Sequence, residues 1–335
     1  MNIEKSILAT IVYYDCLTMT LTTFEVWSRL IRPLSERPIS YKLNPKSFSL
    51  SDVVFSLEES TYLKGYIAQK NGFWFLKGRE KLISTRIEAM KESEEKLKRL
   101  FLWRWVFLLT PFVKGAFVSG SVAGGWVREE SDIDILVVVK GGRIWTARLF
   151  LTLFMSILGI RRHGNLIANQ ICLNHYINEN SLEIPLKSLY NAHTYINLIP
   201  LVDRAGTFKR FFKKNSWIQR YFWQKETLGN RNEYIYQFPA RQFLERFALL
   251  DRGLDEVVCS GFLGDLFERG AKVIQLYLIR RNPLTGKVGG RVQADDSQLE
   301  FHPESKEKII LSRYNKKLQQ LGLTEFYPEK DSGLK

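Results

Sequence analysis

Hydrophobic positions along this chain change their spacing three times. Up to residue 76 they recur mostly at helical intervals. Residues 2–15 read as one helix, 24–31 as a second one capped at Thr22-Thr23, and 53–60 as a third behind Ser49-Leu50-Ser51-Asp52. Pro33 and Pro38 break the chain between the second and the third. Residues 66–76 hold two short strands meeting at Asn71-Gly72, a pair that tolerates the positive φ of a tight hairpin turn. From 79 to 100 charge dominates, with apolar positions only at Leu82, Ile83, Ile87, Met90 and Leu97. This predicts a connector helix with a solvated face. Beyond Lys114 the period shortens. Residues 116–119, 133–139 and 171–177 read as strands, and 143–160 as a helix apolar on most faces and therefore well buried. After residue 182 the pattern is nearly all helical, over 182–196, 207–223 and 239–281. A polar break over 282–297 precedes a last helix at 304–321, and the tail 329–335 is expected to fray.

Three helices followed by a β-hairpin is the element order of a winged helix, which residues 1–80 resemble. The chain then divides into a connector over 81–113, an α/β sheet core over 114–182 and a mostly helical domain over 183–335. A hydrophobic share of 45% and an aromatic share of 13% suffice for packed cores and exclude disorder. Lys and Arg outnumber Asp and Glu by 49 to 35, a formal +14. That excess favours anionic partners: nucleic acid, nucleotide phosphates or an acidic membrane surface. The three cysteines (Cys16, Cys172, Cys259) stand far apart without a CxxC pair, which argues against a disulfide framework or a structural zinc and fits a reducing cytoplasm. The N-terminus lacks the pattern of a signal peptide. The apolar stretches 101–113 and 144–160 fall short of the roughly 20 residues a span requires. No membrane span is expected, and the expected location is cytoplasmic.

The chemistry concentrates in 117–139. Gly120-Ser121 stands eleven and twelve residues before Asp132, and Asp134 follows one residue later. On a strand, residues i and i+2 share a face, so Asp132 and Asp134 present two carboxylates together while Ile133 and Ile135 face the core. Paired acids suit Mg²⁺, which also takes phosphate oxygens. Gly120 lets the backbone approach a phosphate closely, and Ser121 can offer it a hydroxyl and an N–H.

This segment resembles the signature of the DNA polymerase β-like nucleotidyltransferase superfamily, small-domain type: Gly-Ser, a helical turn, then Asp-x-Asp on the next strand. Ala123, Gly125 and Ser131 also fit; Gly124 departs, because many members carry arginine there. The resemblance implies an α+β chain with a central nucleotidyltransferase sheet between an N-terminal winged helix and a C-terminal helical domain. It resembles bacterial nucleotidyltransferase-domain proteins that join the same parts. It implies that Asp132 and Asp134 are catalytic and hold Mg²⁺, or Mn²⁺ in its place, and that Gly120 and Ser121 bind a nucleoside triphosphate. A nucleoside monophosphate would pass to an acceptor hydroxyl on RNA, protein or a small molecule. Active members carry a third carboxylate on a later strand. Here the residue at that position is Asn174, whose amide can coordinate a metal but cannot accept a proton. Glu179 and Asp203 are downstream substitutes. The alternative reading is therefore a catalytically degenerate, nucleotide-binding regulator that binds DNA.

His175, expected on the strand face opposite Asn174, reads as structural, and His163 as a helix-end residue. Phe301-His302-Pro303 is a compact pattern with no assigned mechanism. Lys209, Arg210, Lys213, Lys214 and Arg220 make a positive ridge whose aromatic neighbours follow core spacing; a solvated face is the default and a nucleic-acid track the sharper option.

Overall fold

A computed structural model gives the fold and describes residues 3–37, 47–162, 167–224, 261–286, 291–302 and 306–327. His163, Pro303, the stretch 239–260 and the tail 329–335 lie outside them.

The N-terminal region follows the predicted order closely. Helix α1 (Ile3–Cys16) is buried throughout residues 6–16. The short strand β1 (Leu21–Thr22) leads into α2 (Thr23–Ser28), which opens with a reciprocal capping box between Thr22 and Glu25. Ser49 and Asp52 do the same for α3 (Leu50–Glu59). A further helix, α4 (Thr61–Tyr66), precedes the hairpin of β2 (Ile67–Lys70) and β3 (Phe73–Leu76). Its turn has positive φ at both Asn71 and Gly72. The three strands form a sheet in the order β1-β3-β2.

The segment expected as a connector forms α5 (Leu82–Leu102) and α6 (Arg104–Leu109). The helix α5 keeps the expected solvated face, with Leu82, Ile83 and Leu97 buried, but its inward stripe differs from the expected one. The stripe that α5 buries runs through Arg86, Ala89, Ser93, Lys96, Leu97 and Leu100, whereas Ile87 and Met90 are exposed. Polar side chains face inward because they hold loop carbonyls, as described below.

A six-stranded sheet forms the centre, in the order β7-β4-β5-β6-β9-β8. Strands β4 (Val113–Val118), β5 (Ile133–Val139) and β6 (Ile171–Asn178) are those expected. Strands β7 (Ile199–Asp203), β8 (Arg291–Ala294) and β9 (Gln298–His302) come from the region read as helices and loop. The β8–β9 hairpin hides its alternation because its inward side chains are polar and satisfy one another. Arg291 meets Glu300 at 2.7 Å, and Asp295 Oδ1 accepts from the backbone N–H groups of Ser297 and Gln298 to form the turn. Among these six strands, β5 and β6 pair in parallel and the other neighbours are antiparallel.

Two cores cover the sheet. One face, with Phe117, Leu136, Val138 and Ile177, packs against α1, α9 (Leu189–Ile196), α10 (Thr207–Lys214) and α12 (Glu307–Gln320). The N-terminal helix thus shares its core with the sheet. The other face, with Val118, Ile135, Val137 and Tyr176, packs against α6, α8 (Ile144–Ile157) and α11 (Gly261–Arg281). Helix α8 is less buried than its all-round apolar pattern predicts. Leu151 and Met155 face the core, but Leu153 and Ile157 are exposed because α11 covers only one flank. The helix expected over 207–223 breaks at Asn215, whose side chain accepts from Ile184 N–H at 2.8 Å and donates to Leu182 O at 2.7 Å. No helix among the described residues is long and apolar enough to cross a membrane.

Candidate functional site

The site gathers where the C-terminal end of β4 meets the starts of β5 and β6. Beyond β4, Ser119 N–H donates to Asp134 O at 2.9 Å, and the chain turns into the five-residue helix α7 (Gly120–Gly124). Gly120 is required twice over. Its φ is +65°, and a Cβ there would lie 2.5 Å from Asp134 Oδ2. The backbone of the Gly-Ser turn therefore runs directly against the second carboxylate. Gly125, at φ +77°, ends α7. Gly124, where an arginine is common in the resembling family, lies under the Trp126 indole, which leaves no room for a side chain.

The loop from Gly125 to Asp132 is held from α5. Lys96 is fully buried, and its Nζ donates to Glu129 O at 2.8 Å, Ser131 O at 3.0 Å and Asn169 Oδ1 at 2.9 Å. Ser93 Oγ donates to Val122 O at 2.6 Å. Arg86 donates to Gly125 O and pairs with Glu25 of the α2 cap at 2.8 Å. These buried polar contacts escaped the sequence reading because a lysine-rich helix usually displays its charges to water. The signal was the spacing 86, 89, 93, 97, 100, which marks one helix face.

Asp132 and Asp134 come together as expected. With Cys172 Sγ, one oxygen of each lies within a 4.8 Å cluster. Cys172 is the register partner of Asp134 in the parallel β5–β6 pair. Asp132 Oδ2 accepts from Arg162 Nη1 at 2.5 Å. Asp134 Oδ1 accepts from Asn174 Nδ2 at 2.7 Å. Burial, then the neighbouring Asp132 charge, push the Asp134 carboxyl up from 3.8 to about 7. Burial and the same acids also raise the Cys172 thiol well above its ordinary range, so it stays protonated.

Asn174 reaches Asp134 through a β-bulge. The register runs from Asp134↔Cys172 to Leu136↔His175, two residues of β5 against three of β6. The extra residue puts Asn174 and His175 on the same face, correcting the expectation that they point apart. His175 is buried and satisfied: Gln298 Nε2 donates to its Nε2 at 3.0 Å, and its Nδ1 faces the Tyr195 hydroxyl at 3.4 Å. Burial lowers it to about 3, so it remains neutral. Next along the sheet stands His302, whose Nδ1 lies 3.4 Å from Asn174 Nδ2 and whose Nε2 lies 3.8 Å from Glu300.

The two downstream acids lie elsewhere. Glu179 follows the far end of β6 and pairs with Arg210 at 3.3 Å. Asp203 ends β7 and accepts from Phe208 N–H at 3.0 Å, capping α10. Asn174 thus keeps the third position beside the acid pair. The basic ridge on α10 exposes Lys209, Arg210, Lys213 and Lys214, while Phe208 and Phe211 are core. Its contact with Glu179 places it at the end of the sheet remote from Asp134.

Residues 92–181 match the family model described as a nucleotidyltransferase domain. The match is consistent with the resemblance of this stretch to the DNA polymerase β-like superfamily. No curated protein and no solved structure matches the chain.

Proposed function

Starting from a chain that carries a nucleotidyltransferase domain, we propose that it transfers a nucleoside monophosphate from a nucleoside triphosphate to an acceptor hydroxyl, breaking the α–β phosphoanhydride bond and releasing pyrophosphate, using a divalent cation held by Asp132 and Asp134. The observation that carries this reading is the convergence of the two carboxylates with the Gly120 turn, where a side chain would strike Asp134. The donor set fits the ion. Two carboxylates with oxygens this close repel each other, and burial together with the Asp132 charge raises the Asp134 carboxyl. Hard oxygen ligands favour Mg²⁺, or Mn²⁺ in its place, over softer metals. Once bound, such an ion supplies charge neutralisation at the phosphate that is attacked.

The remaining steps belong to the protein. Gly120 leaves the phosphates free access to the turn, and Ser121 offers its hydroxyl and N–H to them. Lys96 and Arg86 fix the two ends of the loop that joins Ser121 to Asp132, so the phosphate and acid subsites keep a set separation. Asn174 orients Asp134 by donating to Oδ1; it cannot take the acceptor's proton. An acceptor hydroxyl would therefore ionise to water or to a group on the acceptor. Acceptors on RNA or protein suit the excess of 49 basic over 35 acidic residues.

The test is incubation with labelled ATP, GTP, CTP or UTP, Mg²⁺ or Mn²⁺, and a mixed pool of RNA, protein and small-molecule acceptors. Label should appear in one acceptor class and disappear in Asp132→Ala with Asp134→Ala. Absence of label from the wild type under every condition refutes transfer.

The second reading, a nucleotide-binding regulator without transfer, is favoured by Asn174. Its DNA-binding arm has less support. In a winged-helix reading of the N-terminal unit, α3 would face the duplex, yet it exposes Asp52, Glu58 and Glu59. That charge repels phosphates. We assign this unit to packing and protein contact.

A further inference from the structure

The pair of carboxylates is already met by one cation of the protein's own, Arg162. Its backbone is fixed: Arg162 N–H donates to Ile171 O at 3.0 Å, and Arg161 forms a bridge beside the same residue of β6. Its side chain leaves that anchor, places Nη1 2.5 Å from Asp132 Oδ2 and 3.7 Å from Cys172 Sγ, and stays 43% exposed. Asp132 itself is only 16% exposed. The guanidinium thus stands over the open side of the acid cluster, on the atom that a divalent ion would take.

A guanidinium and a metal ion cannot both hold the same carboxylate oxygen at close range. A guanidinium pairs with phosphate as readily as with carboxylate, through the same planar fork. We propose that Arg162 is an exchangeable stopper for the cation site: it neutralises Asp132 while no nucleotide is bound, and moves to the triphosphate when the metal takes the acids. This rests on the reading of Asp132 and Asp134 as metal ligands and deepens it. The exchange makes metal and nucleotide binding mutually supportive, because each removes an obstacle to the other. Nucleotide-free protein should hold the metal weakly, and the ion should enter together with the triphosphate. The stopper also explains how two buried-edge acids are tolerated in the empty protein: one half-exposed arginine offsets one of the two charges without a fixed counter-ion.

The experiment measures Mn²⁺ affinity by calorimetry or electron paramagnetic resonance, on the full chain, with and without a non-hydrolysable triphosphate analogue. Without nucleotide, Arg162→Gln should bind Mn²⁺ about tenfold more tightly than wild type, at the lower end of ordinary two-site coupling. The analogue should tighten Mn²⁺ binding in wild type by at least as much, and markedly less in Arg162→Gln. Arg162→Lys keeps a charge without the fork and should fall between. Thermal unfolding of each variant checks that the exposed substitution leaves the fold intact, and Asp134→Asn added to Arg162→Gln identifies the site measured. Equal Mn²⁺ affinities in wild type and Arg162→Gln, both abolished by Asp134→Asn, overturn the stopper and leave the metal site standing. Mn²⁺ binding that is indifferent to Asp134 in every background overturns the metal site and the stopper together.

Discussion

The sharpest perturbation available is Asn174→Asp, which supplies the third acid that the resemblance to the superfamily implies. Asn174 Nδ2 now donates to Asp134 Oδ1 at 2.7 Å. The substitution replaces that donor by an acceptor in the same place. Without metal it removes a hydrogen bond to a charged group, worth about 1.5–3 kcal/mol. It also sets a third carboxylate beside two. A like-charge contact near 4 Å costs about 4 kcal/mol at the effective dielectric of a partly buried site. Proton uptake relieves part of that cost, so a net loss of roughly 2–5 kcal/mol is expected above neutral pH in chelator. With divalent metal the sign reverses, because three acids bind the ion better than two. The variant should then recover stability as RT ln(1 + [metal]/Kd), about 2.7 kcal/mol at a hundredfold excess over Kd. The assay is thermal unfolding in chelator and in saturating Mg²⁺, beside Mn²⁺ titration. A variant as stable as wild type in chelator, with unchanged metal affinity, refutes the placement of Asn174 against the acid pair. If transfer activity also rises, Asn174 is what limits the wild-type reaction.

Three further outcomes follow from the same geometry. Gly120→Ala should cost about 1–3 kcal/mol, from the positive φ and from the contact with Asp134, and should weaken Mn²⁺ binding; an unchanged melting temperature contradicts it. Lys96→Met leaves Glu129 O, Ser131 O and Asn169 Oδ1 without their donor, and should cost about 2–4 kcal/mol; urea unfolding reads this directly, and a loss under 0.5 kcal/mol, the size of an ordinary surface substitution, would mean the lysine does not hold the loop. The Asp134 carboxyl is raised from 3.8 to about 7, so its contribution to stability is fully present at low pH and is lost as pH rises through about 7. Metal must displace that proton, so Mn²⁺ affinity should climb up to about pH 7 and then level off; a flat profile in wild type, matching Asp134→Asn, removes Asp134 from the site.

How much of this was legible depended on whether a residue's role was local. Gly120, Ser121, Asp132 and Asp134 fall within fifteen residues on two adjacent elements, and strand periodicity alone puts the two acids on one face. The hairpin at Asn71-Gly72 and the capping boxes at Thr22 and Ser49 were equally readable, because each is satisfied within four residues. What escaped was long-range. Lys96 serves carbonyls more than thirty residues away, and its charge pointed to water by every local rule. Arg162 meets Asp132 only once the sheet exists. The bulge in β6 is set by pairing with β5, so no pattern within 171–177 placed His175 beside Asn174. Strands β8 and β9 hide behind a pair network of Arg291, Glu300 and Glu307 that looks like surface polarity in sequence.

The distribution of these long-range contacts bears on whether the site still works. Taking two acids partly out of water and holding them together is unfavourable, and a fold with no use for the pair would gain by losing one of them. Instead, the surrounding elements spend their buried polar groups on keeping the loop before Asp132 fixed: Lys96 and Ser93 from α5, and Arg86 tied back to Glu25, which Arg29 also holds. None of these groups neutralises the acids. Arg162, which pairs with Asp132, is 43% exposed. A permanently closed ion pair would have been built with a more enclosed partner, as Arg291, only 13% exposed, is held between Glu300 and Glu307 in the same chain. The contrast between those two arginines argues that the charge at Asp132 and Asp134 is left to be completed by something that arrives.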